Sequence, residues 1–222
     1  MIIGLHAAML QNIPLFSVLN ENELNAISRL AVRRNYPKNS VIINEGEHTD
    51  SLYVILSGKV KIFLTDEQQK EVIVAIQGAG DYFGELALLD EAPRSASVMT
   101  MEPSTLLLFS KCAFEHYLGD HPKIAISLMR GLAQRLRATT ENVKSLALMD
   151  VYGRIARTLL QLARQEDDHF VIYEKLTHQD LASIVGASRE MVSRIMKDLA
   201  RGGYITSEGR RITIKDKLPP GW

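Results

Sequence analysis

Residues 83–98 read FGELALLDEAPRSASV and place an acid, Glu85, nine residues before a base, Arg94. Gly84 allows the backbone to approach a ligand closely, and the planar guanidinium of Arg94 suits a phosphate group. Ser95 adds a hydroxyl donor, and Glu85 can accept a hydrogen bond from a sugar hydroxyl. These residue types at this spacing predict a pocket for a small anionic ligand that carries a sugar.

The sequence on both sides of this motif has the pattern of a β-domain. Short apolar runs alternate with glycines at regular spacing, which is typical of a barrel-like or sandwich-like unit built from short strands. A helical repeat of Leu24, Ile27 and Leu30 precedes them and predicts a helix over 21–32. The predicted strands are 41–43, 52–56, 60–64, 71–76, 96–99 and 105–109.

One long helix is predicted from about 122 to 149. Apolar residues along it follow alternating steps of four and three, which is the seam spacing of a coiled coil. Thr139 stands in the seam where an aliphatic residue is expected, with Thr140 beside it. Either this polar break fixes the register of the helices, or something polar docks at the seam. The seam residues are Leu132, Leu136, Thr139, Val143 and Leu146.

The C-terminal part begins with a further predicted helix over 151–164, for which Asp150 is the predicted N-cap. The acidic residues 165–169 are predicted to form a surface loop. Near the end of the chain, strand-like runs over 204–207 and 211–214 predict a hairpin that would form a wing beside the helices.

The residues between that loop and that hairpin have the pattern of a helix-turn-helix. Thr177 with Asp180 is close to a capping box, Gly186 makes the turn, and Ser188 caps a second helix. Ala182 supplies the small residue that two closely packed helices need. A helical hairpin of another kind would share the apolar residues, but the combined glycine, alanine and cap positions favour the helix-turn-helix.

The second helix of this motif carries charges on its exposed face. A helix in the major groove reads bases with residues near its N-terminus, where Arg suits guanine and Glu accepts from cytosine. Arg189, Glu190 and Arg194 are therefore the predicted specificity residues, and an ordinary solvated charged face is the alternative. The other predicted DNA contacts are Ser188, Ser193 and Lys197 on this helix, and Thr177, His178, Arg210 and Arg211 for phosphates.

Composition narrows the classes of function. Residues 1–150 hold 14 basic and 17 acidic residues, whereas 151–222 hold 12 and 9, so the C-terminal part is modestly basic. This balance fits DNA binding, and an ordinary solvated surface is the alternative. The single cysteine excludes an internal disulfide and a Cys-built metal or iron–sulfur site, and it favours the cytoplasm. The histidines lack metal-ligand or haem-ligand spacing, and no catalytic constellation or membrane helix is predicted.

Three motifs stand in a fixed order along the chain: GELALL through PRSA (84–96), TTE followed by LALMDV (139–151), and VGASREMVSR (185–194). Together they resemble the cyclic-AMP receptor protein branch of the bacterial CRP/FNR transcription regulators over nearly the whole chain. The resemblance implies an α+β protein that is not an enzyme. The implied domains are a cyclic-nucleotide-binding β-roll over 1–120, a dimerisation helix over 121–149 and a winged helix-turn-helix over 150–222.

The resemblance also implies how the pocket binds its ligand. Glu85 would bind the ribose 2′-hydroxyl, and Arg94 and Ser95 would bind the cyclic phosphate. Backbone groups of Gly84 and Leu86 would line the site. In such proteins the ligand is an allosteric effector, so neither a metal nor haem is expected.

The base and the partners are implied in the same way. Thr139 and Thr140 would contact adenine, one from each subunit of a homodimer, which makes cyclic AMP the expected ligand. The acid-to-base spacing is one residue shorter than in the enteric receptor and closer to the eukaryotic cassette, so cyclic GMP is the alternative ligand. The other implied partners are palindromic double-stranded DNA and RNA polymerase, with no membrane.

Alternative functions, within and outside the family, would each need a different set of residues. A cyclic di-GMP-responsive branch lacks an intact cassette, whereas Glu85 and Arg94 supply one here. The main alternative is a regulator that binds DNA without a ligand and keeps the cassette for structure. A ligand-binding module with no DNA role is disfavoured by the completeness of the helix-turn-helix.

Overall fold

The computed structural model describes residues 9–167, 169–173, 176–208, 211–215 and 218. The chain divides into two compact units, Met1–Leu136 and Arg137–Trp222. The long helix therefore contributes its first part to one unit and its last part to the other. The three-part division at 120 and 149 stays a prediction.

The first unit is built mainly from short antiparallel strands. Its elements are α1 (Glu21–Leu30), β1 (Val32–Tyr36), β2 (Val41–Ile43), β3 (Ser51–Ser57), β4 (Lys59–Thr65), β5 (Glu71–Gly78), β6 (Tyr82–Phe83), α2 (Leu86–Leu89), β7 (Ser97–Thr100), β8 (Ser104–Ser110), α3 (Lys111–Asp120) and the first part of α4 (Pro122–Leu148). The strands form two four-stranded sheets in the orders β1-β8-β3-β6 and β2-β7-β4-β5.

The inner strand β3 of the first sheet is buried on both faces. Leu52 and Val54 of β3 join one apolar cluster with α3 and the start of α4, whereas Tyr53 and Ile55 pack with residues of the second sheet. Because side chains alternate across a strand, burial on both faces requires a continuous apolar run rather than an alternating one. The run predicted as a strand over 52–56 has this composition for that reason.

The strand β6 has only two residues, but they face in different directions. Tyr82 belongs to the cluster that contains the helices, and Phe83 stacks on Tyr53 between the sheets with ring centroids 5.0 Å apart. The chain leaves β6 directly into the motif at Gly84. The packing of these two rings therefore sets where that motif begins.

The second unit is a helix-turn-helix with a small sheet. After the end of α4 its elements are α5 (Val151–Leu162), β9 (Arg164–Glu166), β10 (His169–Ile172), α6 (His178–Val185), α7 (Arg189–Arg201), β11 (Ile205–Glu208) and β12 (Arg211–Ile214). The sheet order is β11-β12-β10-β9. With the first unit, this makes the α+β fold that the sequence predicts.

The helix ends of this unit form as the sequence predicts. The Asp150 carboxylate accepts from the Gly153 amide, Thr177 and Asp180 complete a capping box, and Ser188 accepts from the Met191 amide. Gly186 has a φ of 65°, the left-handed conformation that ends α6 without a side-chain clash.

Several sequence predictions of the elements are wrong in detail. The helix predicted over 151–164 ends at Leu162, and the acidic residues predicted as a loop include the short paired strand β9. The helix predicted over 21–32 ends at Leu30, which is 39% exposed. The strands β1 and β6 were not predicted, because β1 carries Arg33 and Arg34 at a sheet edge and β6 is too short for a periodic pattern.

The turn at 209–210 of the predicted wing hairpin lies outside the described residues, although β11 and β12 pair as expected. Among the residues that the structure describes, no helix is long and apolar enough to cross a membrane.

Candidate functional site

Gly84 forms a turn that brings the backbone against Arg94. Its φ is 84°, and a Cβ atom built there would lie 2.7 Å from Arg94 Nη1 and 2.8 Å from the Ser51 carbonyl oxygen. An L-residue would therefore be strained in its backbone and crowded by its neighbours. The glycine in the motif is needed for the approach of the arginine as well as for any approach of a ligand.

The guanidinium of Arg94 is buried and held by the protein itself. Nε donates to the Thr49 hydroxyl (2.7 Å), Nη1 to the Gly84 carbonyl (2.7 Å) and Nη2 to the Ser51 carbonyl (2.8 Å). Only 4% of the residue is exposed. These bonds use three of the five N–H groups of the fork, one on each nitrogen. By this count, one N–H on each terminal nitrogen makes no bond to the described part of the protein.

Burial and nearby groups shift the pKa of Arg94 in opposite directions. Burial lowers the pKa of its guanidinium, and the nearby Tyr53, Asp50 and Glu85 act to raise it. An arginine remains charged under these conditions because its ordinary pKa lies far above neutrality. The site therefore holds a fixed positive charge inside the first unit.

Glu85 is also buried, and its carboxylate is paired. It follows Gly84 and is the N-cap residue of α2, but its side chain makes no capping bond to that helix. Instead, Oε1 accepts from Arg135 Nη1 at 2.8 Å, with the carboxylate side chain 5% exposed and the arginine side chain 32% exposed. A buried carboxylate would be costly without this partner.

Arg135 itself sits among groups of the neighbouring strands. Its Nη2 donates to the Tyr82 carbonyl, and its guanidinium carbon lies 4.4 Å from the centroid of the Tyr82 ring. With its amide oriented so that donors meet acceptors, Gln77 accepts from Nη2 (3.0 Å) and donates to the Tyr82 carbonyl (3.1 Å). Burial raises the pKa of Tyr82, and the Arg135 charge opposes this.

The other predicted pocket residues lie at surfaces. Leu86 and Ser95 flank the buried pair and are exposed, although the Leu86 carbonyl already accepts from the Asp90 amide. Thr139 and Thr140 are exposed on the part of α4 that belongs to the second unit. Their predicted contact with a base stays a prediction.

The exposed face of α7 gathers the residues predicted to read DNA. Val192 and Ile195 are buried on the opposite face, which fixes the orientation of the helix. The predicted residues line one shallow depression together, and Arg194 Nη2 also contacts Met191 Sδ at 2.9 Å. The lining residues are Arg189, Glu190, Ser193, Arg194 and Lys197.

The residues predicted to contact phosphates differ in whether their side chains already bond to other groups of the protein. His178 is exposed, but the Thr177 hydroxyl already donates to the Asp180 carboxylate at 2.7 Å, so a contact with phosphate would require it to rotate. Arg211 pairs with Glu166 at 3.3 Å and lies over the Tyr173 ring. Arg210 lies outside the described residues.

Two protein families match this chain, one within each of its two compact units. The cyclic nucleotide-binding domain family matches residues 33–121, and the Crp-like helix-turn-helix domain family matches residues 153–217. The CRP-like cAMP-activated global transcriptional regulator of Mycobacterium tuberculosis is 35% identical over 206 residues, which cover 91% of this chain and 92% of the relative. This chain belongs to the CRP/FNR family.

Two further relatives of this CRP/FNR protein illustrate the range of the family. The cAMP-activated global transcriptional regulator CRP of Salmonella typhimurium is 39% identical over 185 residues, covering 81% of this chain and 87% of the relative. The solved structure of the c-di-GMP responsive global regulator CLP of Xanthomonas campestris has a TM-score of 0.78 and 25% identity, covering 89% of this chain and 100% of that one.

As a CRP/FNR member, the chain is a transcription regulator with a cyclic-nucleotide-binding domain and a DNA-binding domain, not an enzyme. Among its described residues, no group of three or more His, Cys, Asp or Glu side chains could hold a metal ion.

The sequence analysis missed Arg135 as a candidate site residue. The available signal was its spacing, because Arg135 precedes Thr139 by four residues and so stands on the same helix face. Its partner Glu85 is 50 residues away in the chain. Only the packing of α4 against β6 shows which acid it meets.

Proposed function

We propose that this regulator is a homodimer that binds cyclic AMP and, in response, binds palindromic DNA. The observation that carries the proposal is the buried fork of Arg94, which the protein holds through one N–H on each of its three nitrogens. The two N–H groups that these bonds leave over, one on each terminal nitrogen, would donate to the ligand. A preorganised, planar pair of donors suits two oxygens of a cyclic phosphate. Ser95, exposed beside it, would add a hydroxyl donor.

The sugar would be bound by the second oxygen of Glu85. Arg135 occupies Oε1 of this carboxylate, so Oε2 is the acceptor for a ribose 2′-hydroxyl. The Arg135 charge also reduces the repulsion between the carboxylate and an anionic ligand. Backbone groups of Gly84 and Leu86 would complete the wall around the sugar phosphate.

The base would be bound on α4. Following the family resemblance, Thr139 contacts adenine in its own subunit, and Thr140 of the partner subunit contacts it across the seam. A hydroxyl accepts and donates, so these residues can also bind guanine, and cyclic GMP remains the alternative ligand.

The homodimer is supported by an apolar stripe on α4. Leu136 is 69% exposed, Val143 60% and Leu146 52%, at the seam spacing of a coiled coil. Large apolar side chains exposed in such a row are expected to be covered by a partner. Sedimentation at micromolar concentration should give a mass of two chains, and a single-chain mass would contradict the dimer.

The response would reach DNA through two α7 helices, one from each subunit. A ligand shifts a two-state protein only by binding one state better, and here the favoured state would place these helices about 34 Å apart, one turn of DNA. We further propose RNA polymerase as the partner through which the protein regulates transcription, as expected of a relative of global transcriptional regulators. These partners place it in the cytoplasm.

A second candidate has its own support. Arg94 and Glu85 are both partnered within the chain, so the cassette is complete as a structural element, which favours a regulator that needs no nucleotide. Because the chain is also similar to the c-di-GMP responsive regulator, cyclic di-GMP should be tested as a ligand beside cyclic AMP and cyclic GMP.

Calorimetric titration with cyclic AMP, cyclic GMP and cyclic di-GMP separates these functions when each is paired with a DNA-binding assay. Cyclic AMP is expected to bind most tightly and to raise the affinity for a palindromic site. Binding of cyclic GMP alone would reverse the assignment of the base. No heat with any nucleotide, together with binding to the palindromic site that no nucleotide changes, would favour the ligand-independent regulator instead.

A further inference from the structure

Three groups around Arg135 are not needed to explain nucleotide binding by the Arg94 fork. They are the Gln77 amide, the Tyr82 carbonyl and the Tyr82 ring, and all of them contact the guanidinium or each other. Gln77 is 8% exposed and Tyr82 7% exposed, so both are buried. A buried amide with both its polar atoms aimed at one arginine and its carbonyl partner indicates a built contact rather than a chance one.

Tyr82 also fixes the position of α4 along the strand. Gly131 stands one helical turn before Arg135, and a Cβ atom built there would overlap with the Tyr82 hydroxyl oxygen. The ring is therefore enclosed between a glycine that leaves room for it and the arginine that covers it. Any larger residue at Gly131 would push the helix away from β6 and carry Arg135 with it.

The Tyr82 hydroxyl makes a steric contact but no hydrogen bond. It is the buried side-chain polar atom without a hydrogen-bond partner among the residues that the structure describes. Its contact with Gly131 is therefore steric, and the ring and the main chain of Tyr82 make the contacts to Arg135. This separation allows the two roles of one residue to be tested by different substitutions.

We propose that Gln77 and Tyr82 are positioning residues that hold Arg135 against Glu85 and so aim the free carboxylate oxygen at the sugar of the ligand. The inference rests on the proposed nucleotide-binding function and assigns the selectivity for a ribose 2′-hydroxyl to this cluster. When the cluster is intact, Arg135 occupies Oε1 and Oε2 is fixed. When it is loosened, the carboxylate can rotate and the sugar contact weakens.

The test compares two ligands that differ by one hydroxyl. The full-length protein is titrated with cyclic AMP and with 2′-deoxy cyclic AMP, and the ratio of the two dissociation constants reports the sugar contact alone. A hydrogen bond to a charged acceptor makes this ratio about tenfold or more in the unaltered protein. In Gln77→Met and Tyr82→Leu, the ratio is expected to fall toward one.

The matched control is Tyr82→Phe, which removes only the hydroxyl and keeps the ring over Arg135. Its ligand ratio should equal that of the unaltered protein. A general loosening of the fold would weaken both ligands equally and leave the ratio unchanged in every variant. An unchanged ratio in Gln77→Met and Tyr82→Leu would therefore overturn the positioning role.

The steric contact is tested by thermal unfolding without any nucleotide. Gly131→Ala should lower the unfolding temperature, and adding Tyr82→Phe should restore most of the loss, because the next ring atom, Cζ, is 3.3 Å from the built Cβ. Gly119→Ala is the control, since a Cβ there has nothing within 4 Å. If Gly131→Ala is tolerated as well as Gly119→Ala, the contact does not set the helix position.

The two measurements also separate this inference from the proposed function. If the unaltered protein binds neither cyclic AMP nor its deoxy analogue, the nucleotide function fails and takes the ligand-aiming role with it. The rescue of Gly131→Ala by Tyr82→Phe still decides whether Tyr82 positions α4. If both ligands bind but the ratio of their dissociation constants is unchanged in Gln77→Met and Tyr82→Leu, the proposed function stands and the positioning role is overturned.

Discussion

The two charged regions of this protein differ in whether their charged side chains are buried or exposed. In the pocket region, Arg94 and Glu85 are each 4% exposed and bonded to other groups of the first unit. On α7, Arg189, Glu190 and Lys197 are exposed, and the depression that they line is open. This is the difference expected for the proposed functions, because a nucleotide pocket must orient its charges before the ligand arrives, whereas a face that reads DNA must keep its charges free.

The physical reason lies in the cost of burial. A buried charge without partners is destabilising by several kcal/mol, so the pocket can hold an arginine only by satisfying it internally. An exposed charge has water as its partner and needs no such network. Substitutions in the pocket should therefore affect both stability and binding, whereas those on α7 should affect DNA binding alone.

The largest effect is expected for Arg94→Leu. If Arg94 binds the cyclic phosphate as proposed, the substitution removes two charge-assisted bonds, each worth about 1.5–3 kcal/mol, so the nucleotide dissociation constant should rise at least about 100-fold. It also leaves the buried carbonyls of Gly84 and Ser51 without a donor, so the unfolding temperature should fall. Calorimetry and thermal unfolding measure the two effects.

The matched variant for that position is Arg94→Lys. Lysine keeps the charge but has no planar fork, so it should bind nucleotide better than Arg94→Leu and worse than the unaltered protein. A nucleotide affinity within threefold of normal in Arg94→Leu would show that the buried arginine serves the fold and not the ligand.

A smaller effect is expected for Gly84→Ala, with Gly80→Ala as its control. Both glycines have positive φ, 84° and 93°, so each substitution should lower the free energy of unfolding by about 1–2 kcal/mol. Only at Gly84 would the new methyl group crowd Arg94, because a Cβ at Gly80 has nothing within 4 Å. Nucleotide affinity should fall about tenfold in Gly84→Ala alone, measured calorimetrically. Equal loss in both variants would mean that backbone strain, not the position of Arg94, matters.

On the recognition helix, Glu190→Ala should change selectivity without changing stability. Loss of one base contact should reduce discrimination at one position of each half-site by about tenfold, since such contacts are worth about 1–3 kcal/mol. Binding to a panel of single-base variants of the site measures this. A uniform loss across the panel, or a lower unfolding temperature, would assign Glu190 to a backbone contact or to the fold.

The smallest effect is expected for Lys197→Ala, farther along the same face. Removal of one exposed positive charge should weaken binding severalfold on every DNA sequence and reduce the slope of log affinity against log salt by about one. Thermal unfolding should be unchanged. A change in base preference at one position would instead place Lys197 among the base-reading residues.

How far the sequence predicts this structure depends on the range of the interactions. The helix-turn-helix was predicted closely, because the caps at Thr177 and Ser188 and the turn at Gly186 are local features. The strands with strong apolar runs were found within a few residues. The strand β1 was missed because its place comes from pairing with β8, more than 60 residues later.

The candidate pocket shows the same limit. The motif from Gly84 to Ser95 could be predicted because the residues lie close in sequence and have distinctive chemistry. The partners of its charges could not, because Ser51 and Thr49 reach Arg94 from a loop and strand more than 40 residues earlier. The predicted roles of the motif residues stay predictions until a nucleotide is titrated.

The sequence by itself determined the order of the β-domain, the long helix and the helix-turn-helix, and the helix caps at Asp150, Thr177 and Ser188. It also determined the apolar stripe on α4 and the acid–base motif, since all of these depend on residue type and spacing within a few turns. Only the tertiary structure decided that Arg94 is buried and held by main-chain carbonyls, and that Arg135 and Gln77 join Glu85 and Tyr82 in one network. These contacts require the sheets and α4 to pack against one another. Burial then selects the partners, because a charge removed from water must find its bonds within the protein.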